Sequence, residues 1–380
     1  MDFSFTPSQK MIRAELRRLL DDVCPPEYAE KCDNEARPPR EAYDAMAKQG
    51  WFGLILPPEY EGSGGSAIDL AILLEETGRH FEELAMWVFR TMTYGGYAVL
   101  KDGTREQKEA LLPRVVRGEL AFCFGLTEPD AGSDAAAITT QATANERGFI
   151  INGQKVFTSG MDISDYCLLV ARTSTGPKKQ QGITNFLVDT RLPGIEIRKI
   201  PVLGQHAIGT THVFYNNVEV PRSAVLGEVD QGWRGVDSYL WYERLCLSAL
   251  RTGVASAAFD YALKYAKTRQ QFGRPIGQFQ AVSHKLADMK VMLDVSQMLV
   301  YRFAWLMDQE KATRNDAAVL KLYTSEAYKS ISDMGLQIMG GYGYCMEYPM
   351  QRFFRDSRLG TIGAGTSEIQ RNIIAHGLGL

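Results

Sequence analysis

The chain has 380 residues, of which 45% are hydrophobic and 23% are charged, and its formal net charge at pH 7 is −3. These values are typical of a soluble globular protein, and the length exceeds that of one ordinary core, so we expect two or three domains. Because the chain has no strong basic tract, nucleic-acid binding has little support.

The sequence also argues against secretion, membrane insertion and metal binding. The N-terminal segment has no apolar signal core, and no stretch approaches the roughly 20 apolar residues that span a bilayer. The six cysteines include no CxxC pair, and the five histidines show no metal-ligand spacing such as HExxH. We therefore predict a cytoplasmic protein with free thiols, no metal ion and no membrane attachment.

Residues 1–121 are predicted to form an N-terminal helical domain. Apolar residues recur with helical spacing over several runs, among them 67–79 and 104–116. The segment between these two runs, 86–101, is apolar and carries a single internal charge, that of Arg90, before Lys101 at its end.

Residues 122–232 are predicted to form a middle β domain, a small barrel or sandwich. Turn residues separate short β-rich runs, which cover 166–171, 183–188, 195–200 and 212–220. Within the same region, Asn152-Gly153 is a strong signal for a two-residue hairpin turn.

Residues 233–380 are predicted to form a C-terminal helical bundle. The helical patterns cover 236–267, 278–309, 313–339 and, more briefly, 367–377. Long helices joined by short loops indicate antiparallel packing. The fold class predicted for the whole chain is therefore multidomain α+β, with the β domain between two helical domains.

Three motifs carry residues that suit a bound cofactor. LTEPDAGSD (126–134) can turn backbone N–H groups toward a polar ligand, although an ordinary loop explains it equally well. KVFTSG (155–160) places hydroxyl groups beside an aromatic ring, which suits a flat ring with polar edges, although a plain strand end is the simpler explanation. TRQQFGRPIGQFQ (268–280) offers an arginine whose planar fork suits a pyrophosphate.

A fourth, glycine-rich motif has two parts, QIMGGYGY (337–344) and RDSRLGTIGAGTSEIQR (355–371). Closely spaced glycines let the backbone approach a ligand. Because GGYGY is not a GxGxxG that follows a strand, a Rossmann domain is disfavoured. Each motif alone is weak, and only their order and spacing along the chain are specific.

In this order and spacing, over essentially the whole chain, the motifs resemble those of the acyl-CoA dehydrogenase family. The resemblance implies an N-terminal helical domain, a middle β domain and a C-terminal four-helix bundle. It also implies non-covalently bound FAD and a homotetramer built as a dimer of dimers.

The resemblance further implies cofactor contacts by position. Contacts to the flavin ring fall on Phe124, Leu126, Thr127, Phe157, Thr158 and Ser159, and Gly132 and Ser133 would lie near both FAD and the pantetheine of the substrate. Contacts to the FAD of a neighbouring subunit fall on Arg269, Phe272, Gln280, Gln337 and Gly341, and Thr366 and Glu368 would lie near the adenosine. The family usually has Trp where Phe157 stands, and Phe keeps the stacking face but lacks the N–H donor.

The catalytic base departs from the commonest pattern of the family. Many members carry the catalytic Glu in a C-terminal motif like YEGT, where this chain has Ala364, which cannot take a proton. A subset similar to isovaleryl-CoA dehydrogenase and crotonobetainyl-CoA reductase carries it on the first bundle helix in a motif like ERL, and this chain has Glu243-Arg244-Leu245 there. We therefore predict Glu243 as the base, with Arg244 and the backbone N–H of Ala364 on the substrate.

The chemistry of the reaction explains these residue types. A thioester α-C–H is a weak acid, so its base needs a pKa raised toward the working pH, and the neighbours Trp241, Tyr242 and Leu245 could desolvate Glu243. N–H donors would stabilise the enolate-like charge, and flavin N5 would take the β-hydride. The competing explanation is that a Glu beside an Arg on a helix forms a solvated ion pair.

Arg90 falls in the segment that closes the acyl pocket in the family. A charge there suits a substrate with a carboxylate or another polar tail, but a surface Arg or a pair with Glu82 or Glu83 is equally well supported. The surrounding aromatic residues, such as Phe89 and Tyr94, indicate a short or compact acyl group.

The function predicted first is FAD-dependent α,β-dehydrogenation of a short, branched, cyclic or polar acyl-CoA. Three alternatives stay open. The acyl or aminoacyl group, such as prolyl, could be carried by a carrier protein. The reaction could run in reverse as an enoyl-CoA reductase coupled to electron-transfer flavoprotein. The protein could also bind flavin without catalysing a reaction.

Overall fold

The structure, a computed structural model, describes residues 4–380, and its N-terminal part is helical. The helices are α1 (Pro7–Val23), α2 (Pro26–Asn34), α3 (Arg40–Lys48), α4 (Ala67–His80), α5 (Glu82–Arg90), α6 (Ala98–Asp102) and α7 (Arg105–Val116). A π-helical segment, Thr91–Tyr97, joins α5 to α6. Capping boxes start α1, α4 and α7, because Thr6, Ser66 and Thr104 each accept a hydrogen bond from the backbone N–H three residues later.

The middle part of the chain forms one twisted sheet. Its strands are β1 (Phe122–Gly125), β2 (Gln141–Ala144), β3 (Gly148–Ser159), β4 (Tyr166–Arg172), β5 (Ile183–Asp189), β6 (Ile195–Ile200), β7 (Thr210–Pro221) and β8 (Val225–Leu226). The strand order is β6-β7-β3-β2-β4-β5-β8, and β1 pairs in parallel with β4. The four predicted β-rich runs correspond to β4, β5, β6 and β7.

The predicted hairpin turn at Asn152-Gly153 is wrong. The chain turns between β2 and β3 at Asn145, whose side-chain Oδ1 accepts hydrogen bonds from the N–H groups of Arg147 and Gly148 at 2.9 and 2.7 Å. Asn152-Gly153 lies inside β3, where the pairing with β7 shifts register. The Asn152 side chain exchanges two hydrogen bonds with Asn217 there, so the Asn-Gly pair serves a β-bulge instead of a turn.

The C-terminal part is again helical. Its elements are α8 (Gly232–Thr268), the short hairpin of β9 (Gln270–Gln271) and β10 (Arg274–Pro275), α9 (Gln280–Asp308), α10 (Arg314–Met339), α11 (Gly341–Tyr344), α12 (Met350–Gly360) and α13 (Ser367–Gly377). The four helical patterns predicted from the sequence correspond to α8, α9, α10 and α13. The predicted fold class, two helical parts around a β-sheet part, is confirmed.

Helix α12 was not predicted, because its first half lies between the two parts of the glycine-rich motif and its second half belongs to the second part. The helix buries polar side chains such as Arg352, Asp356 and Ser357 instead of an apolar stripe. Its apolar residues, such as Phe353 and Phe354, are only partly buried, so apolar periodicity does not mark the buried side of this helix.

Helix α8 joins the two helical parts of the molecule. A Cβ atom on Gly253 of α8 would lie 1.9 Å from the backbone oxygen of Glu75, and one on Gly78 of α4 would lie 2.2 Å from that of Leu250. Only glycine permits this close crossing of α4 and α8. The crossing brings α5 and the π-helical segment, which follow α4, against the first half of α8. Among residues 4–380, no helix is long and apolar enough to cross a membrane.

Candidate active site

Glu243 lies on the buried side of α8, with 9% of its surface exposed. Burial raises the pKa of its carboxyl group, although a hydrogen bond with Tyr94 and the nearby charge of Arg244 act in the opposite direction. Arg244 is buried as well, and its Nε and Nη1 have no hydrogen-bond partner among the described residues. The alternative of a solvated ion pair is therefore wrong.

The π-helical segment brings Tyr94 to Glu243. On one side of this contact, the Thr93 hydroxyl lies 3.7 Å from the Cys246 sulfur, and on the other the rings of Tyr97 and Tyr242 stack with centroids 4.2 Å apart. π-Helical turns are rare in proteins, and those that occur are often found at functional sites. Here the turn fixes the Tyr94 hydroxyl beside the Glu243 carboxyl group.

Tyr94 also connects the predicted base to the β part of the molecule. Its ring stacks on that of Phe124 with centroids 4.7 Å apart. The next residue, Gly95, permits the approach, since a Cβ atom there would lie 2.3 Å from the Phe122 ring. Phe124 is one of the predicted flavin contacts, so a single buried side chain lies against both the predicted base and the predicted cofactor wall.

Arg90 lies one turn before Tyr94 and is 5% exposed. Its Nη1 has no hydrogen-bond partner in the described part of the chain, and a Cβ atom on Gly160 would lie 3.5 Å from it. Burial lowers the pKa of the Arg90 guanidinium, and the nearby Tyr94 raises it. Arg90 therefore lies between the Glu243 region and the end of β3, as a buried cation without a direct counterion.

The two alternatives for Arg90, an exposed side chain and an ion pair with Glu82 or Glu83, are wrong. The residue is not on the surface, and neither Glu82 nor Glu83 pairs with it. The Glu82 carboxylate accepts hydrogen bonds from Gln205 and Tyr328 at 3.1 and 2.9 Å. The carboxylate of Glu83 accepts one from the backbone N–H of Ile208 at 2.6 Å.

The predicted flavin-ring contacts meet at the ends of two strands. They are Phe124 in β1, Leu126 and Thr127 just after it, and Phe157, Thr158 and Ser159 at the C-terminal end of β3. The backbone N–H of Val156 donates to the carbonyl oxygen of Thr127 at 2.9 Å and holds the two segments together. Gly132 and Ser133 lie in the exposed loop that follows, where a Cβ atom on Gly132 would meet no atom within 4 Å.

This surface fits a flat ring with polar edges. Phe157 has a left-handed backbone with φ of 57°, and its side chain is 63% exposed. The next side chain, Thr158, is buried, and its Oγ1 has no hydrogen-bond partner among the described residues. An exposed aromatic face beside an orphaned buried hydroxyl is what an isoalloxazine ring would use.

The residues predicted to contact the FAD of a neighbouring subunit lie around a separate cavity of about 500 Å³. Arg269 and Gly341 both line it, and the Arg269 guanidinium lies 5.4 Å from the centre of the Tyr342 ring. Cβ atoms on Gly340 and Gly341 would meet nothing within 4 Å, so the backbone is open to a ligand. None of the ring contacts on β1 and β3 lines this cavity.

The remaining residues of this group surround that cavity less closely. Phe272 is at the tip of the β9–β10 hairpin and is 93% exposed. Gln280 starts α9, and the carbonyl oxygen of Gln337 accepts a hydrogen bond from Gly340 at 3.2 Å. None of these three lines the cavity itself.

The loop at Ala364 is held in a left-handed conformation, with φ of 55° at Ala364 and 84° at Gly365. Lys321 donates to the Gly365 carbonyl oxygen at 2.7 Å, and Gln370 donates to that of Ala364 at 3.3 Å. The backbone N–H of Ala364 has no acceptor in the described part of the chain, so it can donate to a ligand.

After this loop, Thr366 caps α13, and its side chain accepts a hydrogen bond from the N–H of Ile369 at 3.2 Å. Glu368 is exposed in the first turn of the same helix. Over residues 4–380, no group of three or more His, Cys, Asp or Glu residues is arranged to hold a metal ion.

Four buried polar residues beside the candidate site were not predicted as site residues. Glu128 and Lys155 lie within the motifs, Lys321 lies outside them, and the sequence predicts Tyr94 only as a pocket aromatic. Glu128 and Lys155 stand in two of the quoted motifs, but a contact between positions 27 residues apart leaves no local signal. Lys321 lies on α10, far in sequence from the loop that it holds.

Comparison with known proteins matches most of the chain to one family. Three family models match the chain, described as the acyl-CoA dehydrogenase N-terminal domain over residues 6–119, the middle domain over 123–218 and the C-terminal domain over 230–379.

Individual relatives are similar over nearly their whole length. A 3-(aryl)acrylate reductase of Clostridium sporogenes is 37% identical over 377 residues, which cover 98% of this chain and 99% of the relative. A benzylmalonyl-CoA dehydrogenase of Aromatoleum aromaticum is 36% identical and is covered to 99%, as is this chain. The structure of a glutaryl-coenzyme A dehydrogenase with glutaryl-CoA superposes with a TM-score of 0.96 at 32% identity, covering 100% of this chain and 97% of the other.

Proposed function

The chain belongs to the acyl-CoA dehydrogenase family, and we propose that it dehydrogenates the α,β bond of an acyl thioester with Glu243 as the base and FAD as the cofactor. The observation that carries this proposal is the buried Glu243 carboxyl group, whose pKa is raised by burial although Tyr94 and nearby arginine charges lower it. Position 364, where many members of the family have their base, holds an alanine.

The side chains and backbone of the site supply the proton chemistry. Glu243 would take the α-proton, and its desolvation brings its basicity closer to that of the thioester enolate. The free N–H of Ala364 would donate to the thioester oxygen and stabilise the charge that develops there. Arg244, buried one residue after the base, would add positive charge on the same side.

FAD would lie against the ends of β1 and β3, with the Thr158 hydroxyl and the Thr127 backbone as polar contacts and the Phe157 ring on one face. When bound, FAD supplies the acceptor for the hydride that leaves the β-carbon. The cavity that contains Arg269 and Gly341 would take the pyrophosphate end of a second FAD, which a neighbouring copy of the chain holds.

A second copy is also suggested by apolar residues on the surface beside that cavity. Phe272 and Tyr344 are 93% and 84% exposed. Single exposed apolar residues are common, but large aromatic side chains at a ligand cavity are typical of interfaces. We therefore propose that the protein is a homotetramer in which these residues are covered.

The proposed substrate is a compact acyl thioester whose acyl group ends in a carboxylate. Arg90 is a buried cation without a counterion, and a carboxylate would satisfy its unpaired Nη1. Phe89 and Tyr94 limit the space around it. The similarity to proteins named benzylmalonyl-CoA dehydrogenase and glutaryl-coenzyme A dehydrogenase supports this substrate class, since both names contain a dicarboxylic acyl group.

The second candidate is the reverse reaction, reduction of an enoyl thioester with electrons from electron-transfer flavoprotein. The similarity to a protein named 3-(aryl)acrylate reductase favours it. The same site serves both directions, because a base for the α-proton in one direction is the acid that returns it in the other.

Anaerobic bleaching of the yellow FAD-loaded protein tests the proposal. The panel contains straight, branched, aryl and dicarboxylic acyl groups on CoA and on a carrier protein. We expect a dicarboxylic thioester to bleach the flavin fastest. If no saturated thioester bleaches it but an enoyl thioester reoxidises the reduced protein, the reductase is the function; if neither happens, the proposed reaction class is wrong.

A further inference from the structure

A buried ion pair between Lys155 and Glu128 lies behind the predicted flavin surface and takes no part in the proton chemistry. Lys155 is 0% exposed, and its Nζ donates to Glu128 Oε1 at 2.8 Å. An ammonium group buried without partners would be costly, so it needs the acceptors that it has.

Glu128 is held in turn by three donors from the segment that leads into β2. The backbone N–H and the hydroxyl of Thr139 donate to Oε2 at 2.6 and 2.8 Å, and the N–H of Thr140 donates to Oε1 at 2.9 Å. Burial would raise the pKa of Glu128, but the charge of Lys155 and these hydrogen bonds lower it to about 2. Burial lowers the pKa of Lys155 to about 8, although Glu128 raises it, so the pair is ionised at neutral pH.

The second acceptor of Lys155 is the backbone of the flavin surface itself. Its Nζ donates to the carbonyl oxygen of Leu126 at 3.0 Å. In a trans peptide the C=O and the following N–H point in opposite directions, so fixing the Leu126 carbonyl toward Lys155 turns the Thr127 N–H away from it. That N–H has no acceptor among residues 4–380, and the Thr127 carbonyl oxygen is occupied by Val156.

We propose that Lys155 is a positioning residue for the flavin: held by Glu128, its ammonium group fixes and polarises the Leu126–Thr127 peptide so that the Thr127 N–H donates to the ring. This inference rests on the proposed FAD site. A cation on the carbonyl side of a peptide strengthens the hydrogen bond that its N–H side makes, because linked hydrogen bonds polarise one another in a low dielectric. The effect is larger for a ring that carries more negative charge.

Two measurable consequences follow for a variant that lacks the charge. Lys155→Met should bind oxidised FAD about tenfold more weakly, the loss expected for one charge-assisted hydrogen bond. Reduced FAD, which carries more negative charge, should lose about another tenfold. That difference corresponds to a midpoint potential about 30 mV more negative, because tenfold in a two-electron equilibrium is about 30 mV.

The experiment titrates the apoprotein with FAD by fluorescence and measures the midpoint potential against reference dyes. Lys155→Met is compared with Lys199→Met, which removes an exposed lysine paired with Asp162 in the same sheet. The control should keep the affinity and potential of the unchanged protein. Unchanged FAD affinity and potential in Lys155→Met would overturn the inference.

Glu128→Gln keeps the inference testable if Lys155→Met does not fold. The neutral amide keeps the shape of the carboxylate but leaves the buried ammonium without its counterion, so Lys155 should lose its proton at lower pH. The potential should then fall below that of the unchanged protein as pH rises from 6 to 8, and a parallel pH dependence would contradict the inference. Neither measurement uses a thioester, so a failure here is distinct from failure of the proposed reaction.

Discussion

Glu243 and Glu128 are two buried glutamates with opposite surroundings. They are 9% and 5% exposed, so burial alone does not distinguish them. Glu128 accepts hydrogen bonds from Lys155 and from Thr139 and Thr140, and its pKa is lowered to about 2. Glu243 has the hydroxyl of Tyr94 and arginine charges nearby, yet the effect of burial is larger and raises its pKa.

The two surroundings suit different roles for a carboxylate, a structural role for Glu128 and the proposed role of a base for Glu243. A carboxylate with all of its acceptor sites filled is held in one charge state and one place, which suits a residue that orders a loop. A carboxylate that is desolvated but not paired is a stronger base and is free to take a proton. The same contrast separates the buried cations, because Lys155 has two acceptors while Nη1 of Arg90 has none.

The largest effect is expected from Glu243→Gln. If the unpaired glutamate is the base, the rate at which a thioester bleaches the flavin should fall by roughly 10²–10⁴-fold, the usual contribution of a general base. FAD affinity and Tm should not change, because Gln fills the same space. Glu109→Gln, on an exposed pair with Arg105, serves as the matched control, and equal bleaching rates in both variants would break the comparison.

Arg90→Met tests whether the unpaired cation serves the substrate. Loss of a charged hydrogen bond should raise KM for a dicarboxylic thioester by roughly 10- to 100-fold. A neutral acyl group of the same length should be unaffected or bind more tightly, because no buried charge remains to be compensated. Steady-state kinetics on the two thioesters measure this split, and equal changes for both would show that Arg90 only supports the fold.

Tyr94→Phe tests the one hydroxyl that faces Glu243. The hydrogen bond with Tyr94 lowers the pKa of Glu243, so its removal should raise that pKa further. A base must be deprotonated to act, and the acidic limb of the pH–rate profile should therefore move to higher pH. Below that limb the variant should be several-fold slower.

Tyr97→Phe is the control for this variant. It removes another hydroxyl from the same π-helical segment, one that pairs with Ser238 at 3.1 Å. Its pH–rate profile should match that of the unchanged protein. If the pH–rate profile of Tyr94→Phe also coincides with that of the unchanged protein, the Tyr94 hydroxyl does not influence the pKa of Glu243.

Asp356 offers an intermediate case, a buried carboxylate with a partial set of donors. It accepts a hydrogen bond from the backbone N–H of Gln205 at 2.8 Å, yet burial and the nearby Glu82 raise its pKa to about 8. Between its ordinary pKa near 4 and this value, the folded protein binds more protons than the unfolded chain. The free energy of unfolding should therefore fall as pH rises through this window.

Asp356→Asn keeps an acceptor for Gln205 but removes the titration. Its free energy of unfolding should decline less between pH 4 and pH 8 than that of the unchanged protein, by roughly 1–3 kcal/mol, and its Tm should decline less accordingly. Thermal unfolding across this pH range measures the difference. Parallel curves would show that Asp356 ionises normally in the folded state.

The sequence predicted most elements of the fold because their patterns are local. Apolar periodicity located α8, α9 and α10, and β-rich runs located four strands. The Asn152-Gly153 hairpin failed because the same dipeptide also suits a bulge, and only the pairing of β3 with β7 decides between the two. Helix α12 was missed because it buries polar residues.

The candidate site was predictable only where single positions carry the signal. The Glu243-Arg244-Leu245 motif and Ala364 pointed to Glu243 as the candidate base by position along the chain. The environment of Glu243 was not predictable, because Tyr94 reaches it through a π-helical turn and the crossing of α4 with α8. The Glu128–Lys155 pair likewise depends on the folding of two motifs onto one another.

The most direct test of the contrast between the two glutamates is exchange of the α-proton itself. The FAD-loaded protein is incubated in D₂O with a thioester that bleaches it, and deuterium at the α-carbon is followed by mass spectrometry. If Glu243 is the base, the unchanged protein incorporates deuterium and Glu243→Gln does not, while still binding the thioester. Equal incorporation by the two proteins would show that another group removes the proton and would contradict the account.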